Sequence, residues 1–212
     1  MNRKFFEGCT PAPHFIGAWQ LAEEALMDEV IELFEANPQR HRPGMISAGQ
    51  NETLKNSADM TIHPRDLQVK EFDPMRRYVD LLADCFRDYA EQWPFVAHQL
   101  EPLEMGSFNL QKYGVGQHFS HVHSERTELQ TAHRLFAWMT YLSDVDGGGE
   151  TEFVHFDLSV RPLKGLTLLW PAEWTHAHRG QPVLRGEKYI VTGWMHFPAK
   201  SGQSPVAEKP EP

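Results

Sequence analysis

Past residue 103 the chain loses helical periodicity and becomes a series of short runs rich in aromatic and β-branched residues. The runs at 103–113, 133–142, 151–156, 158–161, 165–170 and 188–197 alternate with Gly, Pro and Asp turns, as antiparallel strands do. Upstream the spacing is different. Residues 19–36 put Trp19, Ala22, Leu26, Val30, Leu33 and Phe34 on one helical face, and Asn37-Pro38 stops the pattern. A second helix is predicted from Asp73-Pro74, with Asp73 as the capping residue, through Tyr78, Val79, Leu82, Phe86 and Tyr89 to about Trp93, where Pro94 ends it. Residues 38–72 mix turns with two extended pieces, Met45–Ala48 and Asp59–Ile62. Helices followed by many strands predict an α+β, mainly β fold, a double-stranded β-helix (jelly roll) whose N-terminal helices brace one sheet.

A length of 212 residues suits one domain. Its expected extent is 1–199, with 1–100 as helical support and variable loops and 101–199 as the jelly-roll core; the polar, Pro-rich stretch 200–212 is expected to be a disordered tail. A formal charge of −9 without a basic stripe argues against nucleic acid as a partner. Cys9 and Cys85 stand too far apart in sequence for a CxxC site or a disulfide framework, which favours a reducing compartment. No signal-peptide h-region or membrane-length apolar run is present, so the expectation is a cytoplasmic protein with no membrane partner.

The chemistry concentrates in the histidines. His121, His123 and Glu125 alternate along one extended segment and can share a face. His176 and His178 follow, the latter 55 residues after His123, enough chain for several strands to cross and return. Two imidazoles and one carboxylate on one face of an octahedron leave open positions, the ligand set of non-haem Fe(II) oxygenases. On the last strand Lys188, Ile190, Thr192 and Trp194 share a face by period two. A buried lysine needs an anion, and a dicarboxylate whose 2-oxo acid end chelates iron would satisfy it.

Taken in order, Tyr113-x-x-Gly116-Gln117-x-Phe119, the His-x-Glu clip, TYLSDVDGGGETEF at 140–153, the Val160–Gly165 turn, HRGQPVLRGEKY at 178–189 and Gly193-Trp194 resemble the 2-oxoglutarate/Fe(II)-dependent oxygenases, specifically their prolyl-4-hydroxylase-like branch. The resemblance spans residues 108–197 and implies His123, Glu125 and His178 as catalytic metal ligands and Lys188, ten positions after His178, as the cosubstrate anchor. By the same matching Tyr141 and Thr192 help hold the far carboxylate, Tyr113 is a pocket tyrosine and Trp194 a pocket wall. The implied cofactors are Fe(II) and 2-oxoglutarate, with ascorbate as an accessory reductant. The implied reaction is hydroxylation of an unactivated C–H bond in a small molecule, peptide or protein, with a prolyl or other amino-acid residue as first choice and succinate and CO₂ released.

One departure stands out: the family's usual clip is His-x-Asp, and here the place reads His-x-Glu. A register one notch earlier would offer His121 and His123 without a carboxylate, and Glu125 argues against it by restoring the ligand charge. His155-Phe156-Asp157 is a literal His-x-Asp, better explained as a surface histidine and a turn aspartate. His118 and His133 read as surface histidines at strand ends, Gly147-Gly148-Gly149 as a flexible hairpin, and Arg134 as a candidate to face substrate. Two rivals share the histidines, a non-catalytic jelly-roll sensor of metal or dicarboxylate and a cupin-type isomerase or hydrolase. Neither needs both a keto-acid anchor and an open iron site.

Overall fold

The computed structural model of the chain describes residues 2–4, 13–46, 49–100 and 102–198. Its elements run β1 (Asn2–Lys4), β2 (Gly17–Gln20), α1 (Glu24–Glu35), β3 (Arg42–Pro43), β4 (Lys55–Asn56), β5 (Ala58–Ile62), α2 (Asp73–Gln92), α3 (Pro94–Gln99), β6 (Glu104–Met105), β7 (Phe108–Tyr113), β8 (His118–His123) and β9 (Arg134–Tyr141). They continue with β10 (Gly147–Gly148), β11 (Thr151–Phe153), β12 (Leu158–Val160), β13 (Leu166–Pro171), β14 (His178–Gly180), β15 (Val183–Arg185) and β16 (Lys188–His196). A nine-stranded major sheet follows the order β1-β2-β13-β9-β16-β7-β5-β3, with β6 on the end of β16; a five-stranded minor sheet reads β12-β11-β14-β8-β4, and β10 pairs with β15. Neighbouring strands are antiparallel, and the two larger sheets enclose a core, which is the double-stranded β-helix expected.

The central strands of the major sheet are buried on both faces because something covers each face. Ala137, Met139 and Tyr141 of β9, Leu166, Leu168 and Trp170 of β13, and Ile190 of β16 point into the core shared with Phe153, Leu158 and Val160 of the minor sheet. The alternate residues Phe136, Trp138, Leu169 and Val191 pack against Leu26, Met27, Val30, Tyr78, Leu82 and Tyr89 of the helices. Period-two alternation thus sorts one strand between two apolar layers. A hydroxyl chain from Tyr78 through Thr140 to Thr167, each step 2.7 Å, satisfies the polar groups buried between α2 and the sheet.

Two local expectations are corrected. Trp19 belongs to strand β2, not to a helix over 19–36. Its segment finds backbone partners on both sides, with Trp19 opposite Arg3 of β1 and Thr167 of β13, and a two-sided ladder overrides a periodicity that a helix shares by chance. The helix keeps Leu26, Val30, Leu33 and Phe34 on its buried face and starts at Glu24. Asp73 is the first residue of α2 and ion-pairs with Arg76, while Phe72 holds the cap position without a side-chain hydrogen bond. Asp59–Ile62 is extended as expected, within β5. Of Met45–Ala48, Ile46 bridges Gly49, while Ser47, Ala48, Cys9 and the stretch 200–212 lie outside the described residues. Strand β8 carries His121 and His123 of the segment expected to be extended, whereas β14 and β15 appear where the sequence showed only turns and motif residues.

Gly193 sits in β16 where a side chain has no room: a Cβ there would lie 2.5 Å from the Trp138 ring and 2.7 Å from Phe108 Cβ. Both neighbours are fixed in the core, so Gly193→Ala is expected to lower stability by about 1–3 kcal/mol, read as a lower urea midpoint at unchanged slope.

Candidate active site

The minor sheet brings two distant histidines face to face. His123 ends β8, and its Cα partner across the ladder is His178, the first residue of β14. From His178↔His123 to Gly180↔Phe119, β14 advances two positions while β8 advances four, a bulge that re-aims side chains at the strand end. The imidazole centroids are 4.5 Å apart. Each ring is held the same way. Nδ1–H of His123 donates to the His121 carbonyl at 2.8 Å, and Nδ1–H of His178 to the His176 carbonyl at 2.9 Å. That arrangement fixes the tautomer and leaves both Nε2 lone pairs facing the cavity.

Glu125, two residues beyond β8, turns its carboxylate to the same point. Oε1 lies 3.4 Å from His178 Nε2 and 3.8 Å from His123 Nε2, and the three ligand atoms all fall within 4.8 Å of one another. Two adjacent ligands on an octahedral ion with bonds of roughly 2.1 Å stand roughly 3 Å apart, so the cluster closes on a divalent cation with small side-chain movement. The charge state suits it as well. Burial lowers His123 to about 4 and keeps it neutral. Burial alone would raise Glu125, but its polar surroundings, His178 and His123 beside Oε1 and the Trp194 indole N–H on Oε2, outweigh it and hold the carboxyl at about 2. Two imidazole nitrogens and an ionised carboxylate form the donor set that a non-haem Fe(II) ion takes.

Phe119 stacks on His123 with ring centroids 4.0 Å apart, and Phe153 and Trp170 wall His178 at 5.6 and 5.1 Å. The sequence reading assigned these three no such role.

The triad opens into a cavity of about 790 Å³ that it shares with Tyr113, Lys188, Ile190, Thr192 and Trp194. Lys188 is 3% exposed. Its Cα partner on β7 is Tyr113, whose ring lies 4.4 Å below the ammonium. Among the described residues its hydrogen bond is to the Gly149 carbonyl at 3.1 Å, leaving two N–H groups for a ligand. Gly149, at φ +76°, brings backbone where a Cβ would crowd the lysine stem at 3.3 Å. The glycine run read as a flexible hairpin therefore walls the lysine. Burial drives Lys188 down to about 8 despite an upward pull from Glu150.

The remaining candidates separate clearly. Tyr113 donates to Gln111 at 2.7 Å, and Gln111 donates to Asp59, which also accepts from Lys55 and Ser57; this network at the cavity wall gave no sequence signal. Thr192 lines the cavity and donates to the Trp138 carbonyl at 2.9 Å. Tyr141 stands one layer back, donating to Thr151 at 2.6 Å, and it is Thr151 that reaches the cavity. Arg134 also lines it, with its guanidinium 3.7 Å over the Trp194 ring. His121 lines the cavity but stays outside the triad. His118 accepts from the Ser120 amide, and His133 packs on His196. His155 is exposed beside Trp174, and Asp157 holds a turn at φ +50°. His176 binds the His14 carbonyl at 2.9 Å and anchors the N-terminal segment under the site.

Comparison with known proteins agrees with this geometry. Residues 108–196 match the model of the 2OG-Fe(II) oxygenase superfamily. Human prolyl 4-hydroxylase subunit alpha-3 is 31% identical over 113 residues, 47% of this chain and 21% of the relative. Human prolyl 4-hydroxylase subunit alpha-1 is 33% identical over 99 residues, 40% of this chain and 18% of the relative. The chain thus spans about a fifth of the length of these curated relatives. Among solved structures, the viral collagen prolyl hydroxylase of Paramecium Bursaria Chlorella virus-1 superposes with a TM-score of 0.62 at 18% identity, over 88% of this chain and 98% of that one. A Pseudomonas putida prolyl-4-hydroxylase gives 0.64 at 17% identity, over 89% and 95%. The Trichoplax adhaerens prolyl hydroxylase, solved with a hypoxia inducible factor peptide fragment, gives 0.66 at 12% identity, over 87% and 84%. The β half of the chain is thus similar to the 2OG-Fe(II) oxygenase superfamily, and the relatives and solved structures it resembles are prolyl hydroxylases.

A buried ammonium without a counter-ion costs stability. Lys188→Met is therefore expected to stabilise the ligand-free protein at pH 7 by about 1–3 kcal/mol. Because the folded value lies near 8 and the ordinary lysine value is 10.5, the cost is complete below pH 8 and fades as pH rises toward 10.5. Chemical denaturation of both proteins at pH 7 and 9.5 should show the gap narrowing.

Proposed function

We propose that the chain is an Fe(II)- and 2-oxoglutarate-dependent dioxygenase that hydroxylates an unactivated C–H bond, with a prolyl or other residue of a peptide as first-choice substrate. The single observation that carries this reading is the meeting, in one cavity, of two Nε2 atoms and one carboxylate oxygen within 4.8 Å with a buried, under-bonded lysine. A bare metal sensor has no use for that lysine. The ion and the keto acid together supply oxygen activation, with succinate and CO₂ released and a hydroxyl left on the substrate.

The chain's own residues do the rest. His123, Glu125 and His178 would hold the ion on one face and leave the cavity side open. Lys188 would pair with the far carboxylate through N–H groups that the Gly149 carbonyl leaves unused. Phe119, Trp170 and Ile190 keep water from the reacting centre. The exposed apolar side chains of Met45, Val122 and Trp174 line the cavity together with the exposed Arg42 and Glu128, a surface that offers a peptide both apolar and charged contacts. A peptide substrate also accords with the Trichoplax relative, which is bound to one. Residues 1–199 act as one catalytic unit in this reading. A reducing compartment fits the Cys85 thiol, which is buried in the helical core.

Anaerobic titration of purified protein with Fe(II) and 2-oxoglutarate should produce the weak visible charge-transfer band of the chelate. A folded protein without the band would favour the sensor or the hydrolase. His178→Ala and Glu125→Ala should abolish iron-dependent succinate formation, and Asp157→Ala should leave it intact. Equal loss in all three would mean that the ligand register is wrong.

Binding of 2-oxoglutarate should also depend on pH through Lys188, which must be charged to anchor it. Its dissociation constant, measured by calorimetry on the Mn(II)-loaded protein, should be level below about pH 8 and rise toward tenfold per pH unit above it. Lys188→Ala should bind weakly and show no such bend.

A further inference from the structure

Glutamate carries one more rotatable bond than aspartate, so a glutamate ligand must be held more firmly to present one chosen oxygen. The two oxygens of Glu125 have different partners. Oε1 faces the two Nε2 atoms at 3.4 and 3.8 Å, while Oε2 accepts the Trp194 indole N–H at 2.6 Å, with the Arg134 guanidinium more distant at 3.8 Å. Trp194 is itself fixed. It stands opposite Ala137 in the β9–β16 ladder, and its ring carries the Arg134 guanidinium at 3.7 Å. The same guanidinium donates to the Glu125 backbone carbonyl at 3.2 Å, so one arginine grips both the indole and the loop that carries the carboxylate. Trp194 also lies on the β16 face that carries Lys188 and Thr192 into the cavity.

We propose that Trp194 is a positioning residue: its indole N–H holds the outer oxygen of Glu125, with Arg134 locking the ring, so that the longer glutamate arm delivers a single oxygen to the metal. The inference rests on the reading of His123, Glu125 and His178 as a metal centre.

The test is Co(II) titration of the full chain, followed by visible absorption, for the unsubstituted protein and for Trp194→Phe, which keeps an aromatic ring under Arg134 and removes the N–H. Loss of the hold should weaken Co(II) binding about tenfold, the lower end of what partners of metal ligands contribute. Binding of 2-oxoglutarate to the Co(II)-saturated protein should weaken clearly less than Co(II) binding does, because Lys188 is untouched and phenylalanine keeps a ring at the pocket wall; a general disturbance of the pocket would weaken both alike. In a Glu125→Asp background, where the shorter arm cannot span both partners, adding Trp194→Phe should change Co(II) affinity by less than about twofold.

Failure of the unsubstituted protein to bind Co(II) would overturn the metal centre itself. Normal binding with Trp194→Phe unchanged, or the same loss in both backgrounds, would overturn the positioning role alone. Should Trp194→Phe not fold, nitrogen-edited NMR of the metal-free protein decides. Glu125→Ala should shift one of the six tryptophan indole N–H signals upfield, and six unmoved signals would sink the proposal.

Discussion

The candidate centre depends on one ladder register. His123 and His178 are separated by 55 residues of chain, and they meet because β8 and β14 are neighbours in the minor sheet with these two residues directly opposite. Opposed residues in an antiparallel pair stand close enough for their side chains to touch. A slip of one residue would send the histidines to opposite faces. The bulge after this pair and the matching Nδ1 bonds to carbonyls two residues back convert strand register into lone-pair direction. Glu125 then needs only to fold back from the strand end.

Register in a five-stranded sheet of short strands has to be enforced from outside, and the major sheet supplies the enforcement. Its strands β9, β13 and β16 are gripped between helices on one face and the jelly-roll core on the other. Phe153 and Trp170 carry that rigidity from the core to His178. The same strand β16 brings Lys188 to the far end of the cavity and Trp194 to the carboxylate, so anchor, pocket wall and ligand support share one rigid piece of backbone.

Charge is held in this framework, and at Lys188 it is held at a cost to stability. An ionised Glu125 and a buried Lys188 sit in the same low-dielectric cavity, each only partly satisfied by protein groups. Such groups persist where a ligand completes them. Beyond them, the Lys55–Asp59–Gln111–Tyr113 network is linked by hydrogen bonds within the protein, and it stiffens the cavity wall without offering chemistry of its own.

Much of this was legible in the sequence, for reasons that are local. Alternation along β9 and β16, the Asp73–Trp93 amphipathic run and the spacing of His123, Glu125, His178 and Lys188 are properties of neighbouring residues, and burial acts on them directly. Strand membership of Trp19, the strand that carries His178–Gly180 and its pairing with His118–His123, and the donor role of Trp194 were not legible, because each depends on a partner far along the chain. Trp19 reads as helical until β1 and β13 pair with it. Gly149 reads as a loose turn until Lys188 needs its carbonyl. The residue types and their order determine which chemistry the chain can perform, whereas only the tertiary fold decides which atoms meet, since ladder register and hydrogen-bond partners are set by contacts that sequence spacing does not encode.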